Sequence, residues 1–234
     1  MRRFWNEISL AALAEGFTLC LDGRQMRLAD GAALLLPRRR VAEAVAAEWR
    51  ALGEEFSPDD LPLTRLAGTA RNRIAPDPAP TIAALARYGA SDLLCYRAEA
   101  PATLARRQEA LWQPWLDWAA RTLDAPLAVT TGVMPVAQPP ASLAALEATL
   151  AVQDAETLAA LGVMVPALGS LVLGLAVALE ALPAGAAHDL AELDSDFQAE
   201  IWGLDRAARA RRARIGCEIA EAARFLGLAR EEEA

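Results

Sequence analysis

Between Glu156 and Glu180 the chain carries no charged side chain, and Leu, Val and Ala fill most of that interval. An apolar run of this length belongs either in a bilayer or in the interior of a folded domain. Gly162, Pro166, Gly169, Ser170 and Gly174 interrupt it. Proline lacks a backbone donor and its ring clashes with the preceding turn, so Pro166 is expected to break a helix. The run therefore reads as two shorter helices buried in a protein core, with no stable membrane insertion.

Composition supports a core of that kind and excludes several chemistries. The chain has 234 residues, 54% of them hydrophobic, which is enough for one large domain or two small ones. A net charge of -8 argues against nucleic-acid binding, which needs a basic surface. His188 is the one histidine, and Cys20, Cys95 and Cys217 are scattered. These residues supply neither a zinc set nor a serine–histidine–acid triad, and no zinc site is expected. An odd, dispersed cysteine set fits a reducing compartment. All 23 basic residues are arginine, so lysine Schiff bases and phosphate-loop lysines are excluded. The segment from Met1 to Glu7 has no apolar run of signal-peptide length, and a cytoplasmic protein is expected.

The local pattern changes along the chain. Phe17-Thr18-Leu19-Cys20-Leu21 reads as a strand, with Asp22-Gly23 as a hairpin turn. Gln25 to Leu28 alternates again, Asp30-Gly31 marks a second turn, and Ala33 to Leu36 completes an expected antiparallel meander. Helical spacing begins at Val41, Val45, Trp49 and Leu52, with Gly53 as the stop. A second helix is expected from Leu63 to about Ile74, and Pro76 to Pro80 as a stiff loop. Thr81 and Ser142 are expected helix caps, and Pro101 an expected first helical residue. The helix after Pro101 shows a stripe of Leu104, Leu111, Trp112, Trp115 and Trp118, with a kink near Pro114. Leu127 to Thr131 reads as a short strand, His188 to Phe197 as one acidic helix, and Asp205 to Leu226 as a final helix. The fold class is α+β: a β-rich N-terminal domain over 1–75 with one or two helices, then a larger, mainly helical domain over 76–234.

Candidate chemistry is sparse. Gly16, Gly23 and Gly31 are separated by strand-like residues and read as turn glycines, not as a phosphate loop. Asp189, Glu192, Asp194, Asp196, Glu200 and Asp205 form an acidic cluster. Asp194 and Asp196 are two apart and do not share a helix face, and the glycine-centred calcium spacing is missing. A solvated helix face explains the cluster, and a carboxylate that grips a partner remains open. Arg209, Arg211, Arg212 and Arg214 are expected to pair with Glu218 and Glu221 along their helix. The tryptophans default to core, although tryptophan is also enriched at interfaces.

An ordered set of segments resembles one family. Its members include Gly16-Phe17, Leu21-Asp22-Gly23-Arg24, Ala46-Ala47-Glu48-Trp49 and Pro62-Leu63-Thr64-Arg65-Leu66-Ala67. The most distinctive is Asp92-Leu93-Leu94-Cys95-Tyr96-Arg97. Gln108, Trp112-Gln113-Pro114, Asp117-Trp118, Gly132-Val133-Met134, Gln138, Gly169-Ser170, Phe197-Gln198, Trp202-Gly203 and Asp205 follow in order. Together they are similar to the assembly chaperones of the F-type ATP synthase that act on the alpha subunit, from about residue 3 to residue 226.

The resemblance implies a non-enzymatic chaperone that binds the free alpha subunit and uses no cofactor, and a monomer is expected. It implies a partner-binding role for Asp194, at the place of an acidic residue important in the family, with Phe197, Trp202 and Asp205 beside it. It implies structural roles for Trp49, Asp92, Tyr96 and Arg97. Aspartate at 194, where the family more often has glutamate, keeps the charge but shortens its reach by a methylene. Leu52 and Gly68 stand where polar residues are typical, and Leu204 and Ala207 where acids are, so the surface around Leu204 is expected to be less acidic than in relatives. A rival reading is a hydrolase or lyase using the acids around Asp194 with Arg65 or Arg97. It requires a concave pocket that gathers them.

Overall fold

Asp22 and Gly23 both adopt left-handed backbone, with φ of 48° and 75°, between paired residues Leu21 and Arg24. Two consecutive positive φ values are what a two-residue hairpin needs to follow the twist of its strands. The hairpin belongs to a three-stranded antiparallel sheet in the order β1 (Ile8–Leu13), β2 (Gly16–Leu21) and β3 (Arg24–Gln25). The computed structural model describes residues 1–28 and 31–230. The expected turn at Asp30-Gly31 therefore lies, at Asp30, outside the described residues.

The meander differs from its sequence pattern in two respects. Ala33 to Leu36 forms no strand and keeps only isolated bridges, Arg27 to Ala33 and Phe17 to Leu36. Strand β1 pairs with β2 along its whole length, on the side away from β3, although Ile8-Ser9-Leu10-Ala11-Ala12-Leu13 contains one β-branched residue. Its partner supplies what its propensity lacks. Gly16 is required by crowding: a Cβ there would lie 2.4 Å from the Leu36 carbonyl oxygen, and its φ is 133°.

Two compact units are defined by the chain's contacts. The first comprises 1–78, 154–160 and 221–234, and the second comprises 79–153 and 161–220. In the first, α1 (Arg39–Arg50) buries Val41, Ala42, Val45, Ala46 and Trp49 on one face. Helix α2 (Pro62–Thr69) runs into a π-helical turn at Ala70–Ile74, so the helix expected from Leu63 to Ile74 is present. Trp5, Trp49 and Phe56 form an aromatic cluster with ring centroids 5.0–6.1 Å apart. Each ring contributes large buried area, and tilted or edge-on geometry suits their quadrupoles.

The second unit is helical apart from a two-residue parallel pairing of β4 (Tyr96–Arg97) with β5 (Thr130–Thr131). Its helices begin with α3 (Ala79–Ala86), α4 (Ala102–Thr122) and α5 (Pro140–Ala151). Thr81 lies inside α3 and caps nothing, because the helix has already begun at Ala79. Pro101 is the N-cap of α4, one residue before the helix. Pro139 is the N-cap of α5, and Ser142 instead donates its hydroxyl to the Pro126 carbonyl at 2.6 Å. On α4 the buried set is Leu104, Gln108, Trp112, Leu116 and Ala119. Leu111 is exposed, because the face turns through a polar residue, Gln108, that the apolar stripe omitted.

The uncharged run folds as two helices, α6 (Ala155–Leu168) and α7 (Leu171–Ala178). Helix α6 runs through Pro166, and the break comes at Gly169, whose φ is 64°. Ser170 then caps α7 by accepting from the Leu173 amide at 3.0 Å. All eight residues of α7 are buried. Among the described residues, no helix is long and apolar enough to cross a membrane. The acidic segment is also two helices, α8 (Ala184–Ala191) and α9 (Leu193–Trp202), divided at Glu192. The last helix is α10 (Arg206–Arg230). The α+β class is borne out, with a small N-terminal sheet followed by mainly helical structure.

Candidate partner-binding site

Helix α9 carries three acids that aim at three different partners. Asp194, in its first turn, accepts a hydrogen bond from the Gln108 side-chain amide at 2.8 Å. Gln108 is buried in α4, and its oxygen accepts from the Ala98 amide at 2.7 Å. Asp196 pairs with Arg212 of α10 through both terminal guanidinium nitrogens, and Arg212 also lies 3.6 Å from Asp189. Glu200 pairs with Arg107 of α4 at 2.6 Å. Asp194 is thus the one acid of α9 held by a neutral group. Its position is fixed while its charge stays uncompensated by an ion pair among the described residues. The helix N-terminus tolerates that charge, since its amides point toward it.

The other end of α9 is apolar and exposed. Ile201 is 58% and Trp202 80% exposed, with Phe197 half-buried one turn earlier. Gly203 leaves the helix at φ 74°, and Asp205 caps α10 by accepting from the Ala208 amide at 2.7 Å. Arg209 donates twice to the Leu204 carbonyl and fastens the turn between the helices. Asp205 therefore carries a structural bond that the sequence alone did not reveal, although an aspartate three residues before a helical amide is a capping signal.

The remaining named residues lie elsewhere. Trp49 is buried in the first unit, and its indole N–H donates to the Thr64 hydroxyl oxygen at 2.8 Å. That hydroxyl donates in turn to Glu48 at 2.6 Å. Glu48 also accepts from the amides of Leu63 and Thr64 at 2.7 and 3.0 Å, so it satisfies the start of α2. Burial raises its pKa. Asp92 is wholly buried in the second unit and accepts from Leu94, Val172 and the Ser170 hydroxyl at 2.8–3.1 Å. Desolvation pushes its pKa up to about 6 against the pull of those donors. Arg97 is 6% exposed, donates to Gln113 at 3.3 Å and lies 5.3 Å from the centre of the Trp112 ring. Tyr96 is half-buried beside it on β4.

The rival enzyme reading needs Arg65 or Arg97 to join the acids around Asp194. Arg65 pairs with Asp59 at 2.9 Å, and Arg97 lies 3.7 Å from Glu109. Of the arginine run, Arg214 pairs with Glu218 as expected, at 2.5 Å. Glu221 pairs with Arg224, and Arg212 turns to the acids of α8 and α9, because helix register places those groups on its side.

A buried-cored, two-unit α+β protein with a fixed acid and an exposed tryptophan has the features of a binding protein. The ATP12 chaperone protein model matches residues 2–120. The crystal structure of Atp12 from Paracoccus denitrificans is 42% identical, covers 98% of both chains and has a TM-score of 0.91. An aspartate-to-lysine mutant of the same protein is 41% identical, with 98% of both chains covered and a TM-score of 0.90. A third structure, from Agrobacterium tumefaciens, is 38% identical over 96% of this chain and 84% of that one, with a TM-score of 0.89. The chain belongs to the ATP12 chaperone family. The family resemblance read from the ordered segments is borne out, and with it a chaperone function in ATP synthase assembly.

Proposed function

We propose that this chain binds the unassembled alpha subunit of the F-type ATP synthase and shields it until the beta subunit arrives. It does so as a cytoplasmic monomer, without catalytic turnover. The carrying observation is the pairing on α9 of an 80% exposed Trp202 with Asp194, whose charge no cation among the described residues neutralises. Exposed tryptophan anchors interfaces because it buries a large area with few rotamers to freeze. An unassembled subunit exposes apolar interface that aggregates, and a protein that binds only that form reduces the loss by mass action.

The test is capture of the organism's purified alpha subunit, with beta as the control and alpha aggregation followed by light scattering. Selective capture of alpha with suppressed scattering is the expected result. Equal capture of both subunits, or of neither, overturns the reading.

A further inference from the structure

A hollow lies within the first unit. It is a groove of about 540 Å³, open to solvent, between one face of α1, the segment 52–62 and two residues of α10. That volume falls in the range of ligand sites. Ala44 and Ala47 of α1 and Ala51 at its C-cap recur along this wall, and their short side chains leave the space that longer ones would fill. Leu52 and Phe56 give an apolar end, and both are largely buried.

The charge in the groove has one sign in excess. Glu48, Glu55, Asp60 and Glu221 line it, against a single Arg224 that pairs with Glu221 at 3.2 Å. Asp60 is turned back to cap Ser57. Among the described residues, no cation pairs with Glu48 or Glu55. Glu48 cannot swing away, because three hydrogen bonds from Leu63 and Thr64 hold its carboxylate. The negative charge of Glu221 adds to the upward push on its pKa. Metal ligation does not explain the charge, since no group of three or more His, Cys, Asp or Glu side chains among the described residues forms a metal site. An apolar trough ending in unneutralised carboxylates is complementary to a long side chain with an aliphatic stem and a cationic head.

We propose that this groove binds an arginine or lysine side chain, with its apolar neighbours, in an extended peptide segment of the client. The stem lies along the alanines of α1 and against Leu52 and Phe56. The head sits beside Glu48 and Glu55, with Glu221, in its pair with Arg224, lining the same groove. The proposal takes the identity of the client from the chaperone reading, whereas the recognition chemistry comes from the groove alone.

The test uses the full chain and a fluorescent, end-capped peptide of alanine and leucine with one central arginine. Its twin carries glutamine at that position. Anisotropy is expected to show the arginine peptide binding about tenfold or more tighter than the twin, with affinity falling as salt rises. The double variant Glu55→Gln/Glu221→Gln and, separately, Ala47→Phe are each expected to weaken the arginine peptide about tenfold while melting like the parent. Equal binding of the two peptides, binding of neither, or undiminished binding by the folded variants overturns the proposal. Alpha-subunit capture by the parent is read separately. Capture without arginine selectivity removes the groove and leaves the chaperone reading, whereas arginine selectivity without capture does the reverse.

Discussion

The carboxylate of Asp194 is bonded to the amide of Gln108 across 86 positions of sequence, and Gln108 is itself buried and bonded to the Ala98 backbone. Position and charge can therefore be separated at this residue. Asp194→Asn keeps an oxygen for Gln108, so stability is expected to change by less than about 1 kcal/mol. Asp194→Ala leaves a buried amide donor without its acceptor and is expected to cost about 1–3 kcal/mol. If the charge meets the client, both variants lose alpha capture to a similar degree despite their different urea midpoints. Capture that tracks stability instead would assign Asp194 a purely positioning role.

Trp202 offers the opposite case. It is exposed and has little to contribute to the fold. Trp202→Ala is expected to leave the stability within about 0.5 kcal/mol of the parent. Alpha capture is expected to weaken by about 2 kcal/mol or more, the usual scale of a tryptophan anchor, or about 30-fold. A titration of labelled alpha subunit with both proteins checks it, and equal affinities would remove Trp202 from the interface.

Asp92 gives a pH signature. Its folded pKa is raised from 3.8 to about 6 by burial, so the folded state holds the proton more tightly than the unfolded chain does. The associated stability is fully present below about pH 4 and is lost as pH rises through 6. A rise of this size is worth about 3 kcal/mol. Asp92→Asn cannot titrate and lacks that loss. Asparagine also sets an amide donor against the donors of Val172 or Leu94 and Ser170, so the variant is less stable than the parent at pH 4. The deficit is expected to shrink by up to that amount between pH 4 and 7. Urea melts of both proteins across this range measure it, and a deficit independent of pH would show that Asp92 does not titrate there.

What the sequence revealed follows how local each signal is. The Asp22-Gly23 hairpin, the α1 face and the burial of most of residues 157–178 were legible because spacing or turn chemistry within a few residues sets them. Strand β1 was not, because an alanine-rich segment becomes a strand only when β2 pairs with it. The same holds for the candidate site. Trp202 beside its terminal glycine can be seen in sequence, but the bonds of Asp194 to Gln108 and of Asp92 to Ser170 join residues far apart in the chain. Ser142 and Thr81 show the converse error. Each has capping chemistry, yet Pro139 and Ala79 begin their helices earlier. The groove at Glu48 was invisible for a related reason: alanines on one helix face mark a hollow only when the opposite wall is known.

Gly174 tests how closely α6 and α7 approach. Within the uncharged run it reads as a helix breaker, yet it lies inside α7 and is wholly buried. A Cβ built there would meet Val165 Cγ2 at 2.5 Å and Leu161 Cδ2 at 3.5 Å. The glycine is there because α6 packs against the α7 backbone. In an exposed helix Gly→Ala stabilises by about 1 kcal/mol through propensity. Here Val165 is itself buried, and a β-branched side chain in a helix has one strongly preferred rotamer, so the overlap is expected to win. Gly174→Ala is expected to destabilise by about 1–3 kcal/mol, and Gly174→Ala/Val165→Ala to be more stable than the sum of the two single changes. Urea melts of the four proteins in the cycle measure the coupling. Additive effects would mean that the two helices separate freely at this point.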